Sequence, residues 1–150
     1  MGFWVKRGAV ALAIVLAASQ FVRPAMTNPP IEPSHTIQAY LPQASELVRV
    51  VSRSCRDCHS NSTVWPWYTD VAPVSWLIAH DVTEGRQAVN FSEWAAYGSS
   101  KQAEYLKDAC EEAKDGEMPP RTYTWMHRDA KLTTQDVEAI CRVAPQRGNP

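Results

Sequence analysis

Three side chains able to hold a metal cofactor stand together in the run Cys55-Arg56-Asp57-Cys58-His59. Positions i and i+3 lie on one face of a helix, so both thiols can reach the same edge of a porphyrin. There they would form thioethers with its two vinyl groups, and His59 would bring its imidazole under the iron as the proximal ligand. Cys-x-x-Cys-His therefore predicts covalent attachment of one c-type haem.

Two other chemistries use a Cys-x-x-Cys pair. It can form half of a zinc site, but Cys110 and Cys141 stand alone and provide no second pair. It can also act as a thioredoxin-like redox pair, which requires a βαβ pattern that the sequence lacks. The chain begins like an exported protein, and c-type haem is attached outside the cytoplasm, so we favour the haem interpretation.

A second iron ligand is predicted in the run Glu117-Met118-Pro119-Pro120. A methionine in a proline-fixed extended loop does not pack like a helical core residue. Its thioether suits low-spin haem iron, and His/Met ligation raises the reduction potential. We therefore predict Met118 as the distal ligand, the alternative being a surface or gap-filling methionine. Met126 and His127 are further candidates.

The stretch from Asn61 to Trp94 is rich in aromatic residues and irregular. We expect Trp65, Trp67 and Trp76 to wall the haem, since rings that exclude water raise its reduction potential. The alternative is that these rings belong to the core. His80 could bind iron or a propionate, but a lone histidine on a mostly apolar segment is more often structural.

The sequence contains no strand-period segment, so hydrophobic periodicity predicts an all-α fold. Together with the Cys-x-x-Cys-His motif, this predicts a small helical c-type cytochrome domain with long aromatic-rich loops. Helix-capping and stop signals place the individual helices. The expected helices are 43–58 after Pro42, 75 to about 82, a short turn from Ser92 to Tyr97, a helix with a Ser99/Gln102 capping box ending at Gly116, and a last helix capped by Thr133 and Asp136.

Cys110 and Cys141 both fall on the predicted buried faces of helices. In an oxidising compartment we expect a disulfide between them. The alternative is two small, inert buried thiols.

The first residues resemble a membrane signal. Lys6 and Arg7 precede an uncharged run from Gly8 to Val22, typical of a secretory signal peptide or a signal anchor. We favour an uncleaved anchor over residues 1–23, a transmembrane helix whose leading positive charges keep the N-terminus in the cytoplasm. Residues 24–42 hold five prolines and are expected to form a semi-rigid tether or to wrap the domain surface. The haem c domain would span 43–145, with a tail at 146–150.

The charge distribution limits the partners. The chain carries a net charge of −1, and its first 23 residues contain basic but no acidic side chains, so the remainder is acidic. Without a basic stripe, nucleic acid is not an expected partner. An acidic surface suits an electron-transfer protein steered to a basic patch on another protein.

Beyond these features, the chain over roughly residues 8–142 resembles the bacterial haem-binding-domain family of small, single-haem c-type cytochromes. The resemblance implies a periplasm-facing helical cytochrome with His59 and Met118 on the iron, and it implies no substrate. Cys110 and Cys141 are not part of the pattern. The matching residues are Gln20-Phe21-Val22-Arg23-Pro24, Cys55 to Asn61, Trp65-Pro66-Trp67-Tyr68, Ala72 to Leu77, His80, Gly85-Arg86, Asn90 to Trp94, Gly116 to Pro120, Tyr123, His127 and Leu132-Thr133.

The function that these expectations favour is single-electron transfer at the outer face of a bacterial inner membrane. The protein would act with a redox partner or within a larger respiratory or photosynthetic complex. A peroxidase-type enzyme is the first alternative, because an open sixth site beside His80 or His127 would allow acid–base chemistry. A ligand or redox sensor, or a subunit whose haem only stabilises the fold, are the others.

Overall fold

The computed structural model describes residues 2–41 and 45–145, and these residues form helices and loops without a β-strand. The predicted all-α class is therefore confirmed. The α-helices are α1 Gly2–Ser19, α2 Ile37–Tyr40, α3 Glu46–Val50, α4 Arg56–His59, α5 Val74–Ala88, α6 Ser99–Asp115, α7 Arg121–Met126 and α8 Thr134–Val143. A π-helical turn, Val51–Cys55, separates α3 from α4, and short 3-10 helices span Pro33–His35, Trp67–Asp70, Phe91–Ala96 and Arg128–Ala130.

Helix α1 contains the apolar N-terminal run and has no buried residue. Its 18 residues extend for about 27 Å at the usual helical rise. Among the described residues it is the one helix long and apolar enough to cross a membrane, although a signal sequence has the same features.

The hydrophobic core lies where α3 and the π-helical turn meet α6 and α8. Cys110 on α6 and Cys141 on α8 form a disulfide, in agreement with the predicted pairing. The core side chains are Ile37, Leu47, Val50, Val51, Phe91, Trp94, Cys110, Ala113, Ile140 and Ala144. The disulfide thus fixes two helices that support the segment leading to Cys55.

The predicted continuous helix over 43–58 is wrong in detail. Residues 42–44, where it was expected to begin, lie outside the described residues. From Val51 the backbone widens into a π-helical turn in which Arg56 N–H donates to Val51 O. Cys55 then leaves helical geometry, with φ −121° and ψ −28°. The two cysteines therefore flank a break between helices instead of sharing one regular α-helix, and π-helical turns are frequent at functional sites.

Three further predictions about helix limits need correction. Helix α5 continues to Ala88 instead of ending near Val82. The turn expected to be capped by Ser92 is capped by Asn90, whose side chain accepts from Ser92 N–H. Gln102 does not close a capping box on α6.

The Gln102 amide instead donates to the carbonyls of Trp94 and Tyr97, each at 2.9 Å. Gly98 occupies the N-cap position. These partners precede α6, so the glutamine fastens the helix to the preceding aromatic turn. Gly116 does end α6, with the positive φ of 72° that favours glycine.

The proline-rich segment after α1 lies against the domain. Arg86 donates to Thr27 O at 2.9 Å and to Asn28 Oδ1 at 3.0 Å. Asn28 donates to Thr63 O at 2.8 Å, and Ile37 is completely buried in the core. Of the two interpretations of residues 24–42, these contacts favour a segment that wraps the domain surface.

Helix α8 begins with the predicted capping box between Thr133 and Asp136. Asp136 also accepts from Arg53 of the π-helical turn at 2.8 Å. Burial raises the pKa of Asp136, but the hydrogen bonds from Thr133 and Arg53 outweigh it and leave the pKa below its ordinary value. The charged carboxylate therefore stabilises the fold.

We predict that Asp136→Asn lowers the free energy of unfolding by about 1 kcal/mol at pH 7, since it weakens charge-assisted hydrogen bonds. A depressed pKa gives stability that is complete above the unfolded value of about 3.9 and is lost as pH falls through the folded value. The deficit should therefore shrink below about pH 4. Denaturant unfolding at both pH values measures it.

Glu46→Gln is the matched control. It breaks another ion pair to α8, Glu46–Arg142 at 3.1 Å, whose side chains are 54% and 69% exposed. Exposed pairs contribute little, so the loss should stay below about 0.5 kcal/mol. An equal loss in the two variants would contradict the role given to Asp136.

Candidate haem site

The two cysteines of the motif lie at the junction of the π-helical turn and α4. Both are half-buried and neither is in a disulfide. Burial, with a smaller effect of Cys58, raises the pKa of Cys55 to about 12. Burial, followed by Asp81 and Asp57, raises the pKa of Cys58 to about 11. Both thiols are thus protonated at neutral pH, and little of the reactive thiolate form is present. Because Cys110 and Cys141 bond to each other, they are not available to complete a zinc site here.

His59 is held so that one ring nitrogen is committed and the other is available. Its Nδ1 lies 3.2 Å from Val89 O, and the tautomer that donates there keeps the lone pair on Nε2. Burial lowers the pKa of His59, although the carbonyls of Val89 and Gly85 oppose the shift. A neutral imidazole oriented by a backbone carbonyl is the form in which histidine binds a metal.

The backbone of α5 touches that of the motif at Gly85. A Cβ on Gly85 would lie 2.6 Å from Cys58 O and 3.0 Å from Cys58 Cβ, so no side chain fits there. A glycine inside a helix costs about 1 kcal/mol relative to alanine. The glycine is nevertheless required here, because only the close approach brings Val89, one turn further along the chain, to His59.

Buried amides fix the residues that follow His59. Asn61 N–H donates to Ser92 Oγ at 3.0 Å, and Asn90 Nδ2 donates to Asn61 Oδ1 at 2.8 Å. Asn90 also caps the turn that contains Ser92. The loop after the motif and the loop after α5 are therefore one hydrogen-bonded unit, and buried networks of this kind are rigid when satisfied.

Asp57, between the two cysteines, connects the motif to α7 through a hydrogen bond. It accepts from Tyr123 Oη at 2.8 Å and from Val64 N–H at 3.2 Å. Burial and the hydrogen bond to Asp57 raise the pKa of Tyr123 strongly. Tyr123 stacks on His127 with ring centroids 4.3 Å apart, and His127 Nε2 lies 2.6 Å from Tyr68 Oη. That nitrogen of His127 is thus already paired with a phenol.

Met118 lies in the loop between α6 and α7. Its N–H donates to Glu112 O at 3.3 Å, and its side chain is 42% exposed. Tyr123, shortly after it in the chain, is the residue bonded to Asp57, so the end of this loop is fastened beside α4. The loop is therefore anchored near the motif, and the ligation of iron by Met118 stays a prediction. Met126 and His80 are exposed.

The three tryptophans predicted to line the haem have different surroundings. Trp67 is 76% exposed. Trp76 is 39% exposed and donates its indole N–H to Val22 O at 2.7 Å, so its polar group serves the chain after α1. Trp65 is half-buried, and its Nε1 has no partner among the described residues. Of the three tryptophans, Trp65 is therefore the one with a buried N–H that has no acceptor among the described residues.

The donor set fits a haem. Two thiols and a neutral imidazole are adjacent, and the buried nitrogens Trp65 Nε1 and Arg56 Nε lack partners among the described residues. Buried donors are rarely left unpaired, and a propionate carboxylate is the acceptor that a haem would provide. The cysteines and His59 would hold the group.

The roles of Asp57, Gly85 and Val89 were not foreseen from the sequence. Gly85 gave the clearest signal, since a glycine inside a helical segment usually marks a close approach. The backbone carbonyl of Val89 gives no signal, because any residue supplies one.

We predict that Gly85→Ala reduces the haem content of the purified protein and destabilises it by about 1–3 kcal/mol, the usual cost of overpacking. The new methyl group must displace Cys58 and with it His59. Haem per polypeptide and denaturant unfolding measure both effects. Gly98→Ala is the control for haem content, because nothing lies within 4 Å of that Cβ. Its stability is not compared, since alanine is a poorer N-cap than glycine and Gly98 caps α6. Full haem content in Gly85→Ala would disprove the tight contact.

Comparison with known proteins gives one match. A family model described as haem-binding domain matches residues 14–146, which is most of the chain and includes α4 and His59. No curated protein matches the chain. No solved structure matches it either. Because the family model spans well over half of the sequence, the chain belongs to the haem-binding-domain family.

Proposed function

We propose that this protein is a single-electron carrier with one covalent haem c. Cys55 and Cys58 form the thioethers, His59 is the proximal iron ligand and Met118 the distal one. The observation that carries the proposal is the Nδ1 contact of His59 with Val89 O at 3.2 Å, inside a Cys-x-x-Cys-His motif of a haem-binding-domain chain. When bound, the haem supplies the one-electron couple of its iron.

The surrounding residues supply orientation and a partly dry environment. Val89 O sets the His59 tautomer and increases the basicity of its ring, which is the usual role of a carbonyl behind a metal-bound histidine. Asp57 accepts from Tyr123 and steadies the helix between the thioethers. Trp65 and Arg56 present donors to the propionates. In this proposal, these groups bind and orient the haem.

We place the protein in a bacterial inner membrane with the haem domain in the periplasm. Lys6 and Arg7 precede the apolar part of α1, which favours a cytoplasmic N-terminus. The Cys110–Cys141 disulfide supports an oxidising compartment on the other side. The acidic charge of the residues after α1 suits a redox protein or membrane complex with a basic docking patch.

We expect mass spectrometry of the haem-containing peptide to find the porphyrin bonded to both Cys55 and Cys58. Cys55→Ser and Cys58→Ser should each leave a single thioether, and the double variant none, because a serine hydroxyl does not replace the thiol. Pyridine haemochrome spectra count the remaining vinyl groups. A wild-type protein from which acid–organic extraction removes the haem would overturn covalent attachment.

Met118→Ala tests the distal ligand. The ferric wild type should be low-spin with the weak charge-transfer band of a methionine–iron bond, and the variant should lose that band and bind cyanide faster. Loss of the thioether should also lower the reduction potential, since methionine ligation raises it. Potentiometry measures this change.

Met126→Ala is the matched control, another exposed methionine of the same region. It should leave the spectrum and the potential unchanged. A high-spin wild-type spectrum that neither substitution alters would mean an open sixth position. That result would favour the peroxidase or sensor alternatives over electron transfer.

A further inference from the structure

The chain leaving α1 is bonded directly to the start of α5. The Gln20 side-chain amide donates to Ala72 O at 3.1 Å and accepts from Ala72 N–H at 3.0 Å. Trp76 donates to Val22 O at 2.7 Å, and Arg23 lies 3.7 Å from Asp70. Three residue pairs therefore join residues 20–23, which follow α1 directly, to residues 70–76 of the domain. Residues 20–23 are thus attached to the domain and do not act as a flexible spacer.

Besides the exposed Arg23–Asp70 ion pair, the surface around this junction exposes several large apolar side chains. Phe21 is 89% exposed, Trp67 76% and Leu77 53%. Val74 and Trp76, at 41% and 39%, complete the patch on the first turn of α5. An exposed cluster of large apolar side chains, two of them tryptophans, is unusual for a surface that faces only water.

The outward face of α5 changes character along its length. Leu77 lies in its first turns, whereas the exposed residues further along contain no large apolar side chain; they are His80, Thr83, Glu84, Gln87 and Ala88. Leu77 and Glu84 are seven positions apart and share one face of the helix. The apolar character is thus confined to the end of α5 that is bonded to the exit of α1.

The length of the apolar run adds a constraint. Its helical part, residues 8–19, spans about 18 Å, whereas a bilayer's hydrocarbon core is about 30 Å thick. Phe21 and Val22 follow directly after the end of that helix. A short span draws its flanking residues toward the membrane. Phe21 and Val22 are then pulled to the interface, and Trp76 follows because it is bonded to Val22.

We propose that this apolar end of the domain, formed by Phe21, Trp67, Val74, Trp76 and Leu77, lies in the headgroup region of the bilayer that α1 crosses. The inference rests on the membrane anchoring in the proposed function. Tryptophans are enriched at membrane–water interfaces, where an apolar ring and a polar N–H are both accommodated. Trp4, 74% exposed near the other end of α1, would occupy the opposite interface.

This arrangement differs from a domain raised on a proline-rich tether. Residues 27–30 of that segment are held by Arg86 and by Asn61, which donates to Pro30 O at 3.3 Å. They run back over the domain and do not lengthen the connection to α1. The domain therefore rests on the lipid surface in a defined orientation.

The test uses the full haem-loaded chain in lipid nanodiscs of phosphatidylcholine and phosphatidylglycerol, with single cysteines introduced at exposed positions. The native cysteines are in the disulfide or, under the proposed function, in thioethers, so the introduced thiol alone reacts. The measurement is the rate of alkylation by a charged, membrane-impermeant maleimide, divided by the rate in the urea-unfolded chain. Leu77→Cys probes the patch, Glu84→Cys is the control about 10 Å further along the same face, and Val10→Cys reports insertion of α1.

We expect Leu77→Cys to react at least about tenfold more slowly than Glu84→Cys, because an interfacial residue is shielded by headgroups while the control stands in water. Val10→Cys should be slower still. Equal rates at 77 and 84 with a protected Val10→Cys would overturn the proposal while leaving the anchor in place. A fast Val10→Cys would show that α1 is not inserted, and both the anchor and this inference would fall.

Discussion

The contact on which the site depends is the close approach of α4 and α5 at Gly85. It leaves no space for a side chain between the two backbones, because a Cβ on Gly85 would lie only 2.6 Å from Cys58 O. The approach puts Val89 O within 3.2 Å of His59 Nδ1, which decides the tautomer that a metal would meet. The packing of the two helices thereby sets the orientation of the His59 ring. Asn61, Asn90 and Ser92 keep the two loops from separating.

The core holds α4 from the other side. The π-helical turn before Cys55 contributes Val51 to the core and Arg53 to the capping carboxylate of α8. Helix α8 is in turn joined to α6 by the disulfide. The π-helical turn and α4 are thus supported by two helices that the disulfide joins covalently. A small domain buries a limited apolar area, so a disulfide is an effective way to stabilise it.

Apart from the Cys110–Cys141 disulfide, the features that the sequence predicted correctly were set by local chemistry. Thr133 and Asp136 form their capping box within one turn, and Gly116 ends α6 through its own backbone conformation. The features that were missed depend on distant partners. Gln102 donates to carbonyls before α6, and Trp76 donates to Val22, 54 positions away. For the candidate site, the motif predicts Cys55, Cys58 and His59, but no pattern reveals a backbone carbonyl such as that of Val89.

Helix α5 connects the exit of α1 to the candidate haem site. Its first turn is bonded to the exit of α1 through Trp76, and its last turn holds Gly85 against Cys58, followed by Val89 at His59. Its 15 residues extend for about 22 Å. If the apolar end rests on the bilayer, the length and tilt of this one helix set the height of the iron ligand above the membrane. A flexible tether would leave that height undefined. Under the proposed function, a rigid helix would present the haem to a membrane-bound partner at a constant level, which would reduce the orientational search that limits protein association.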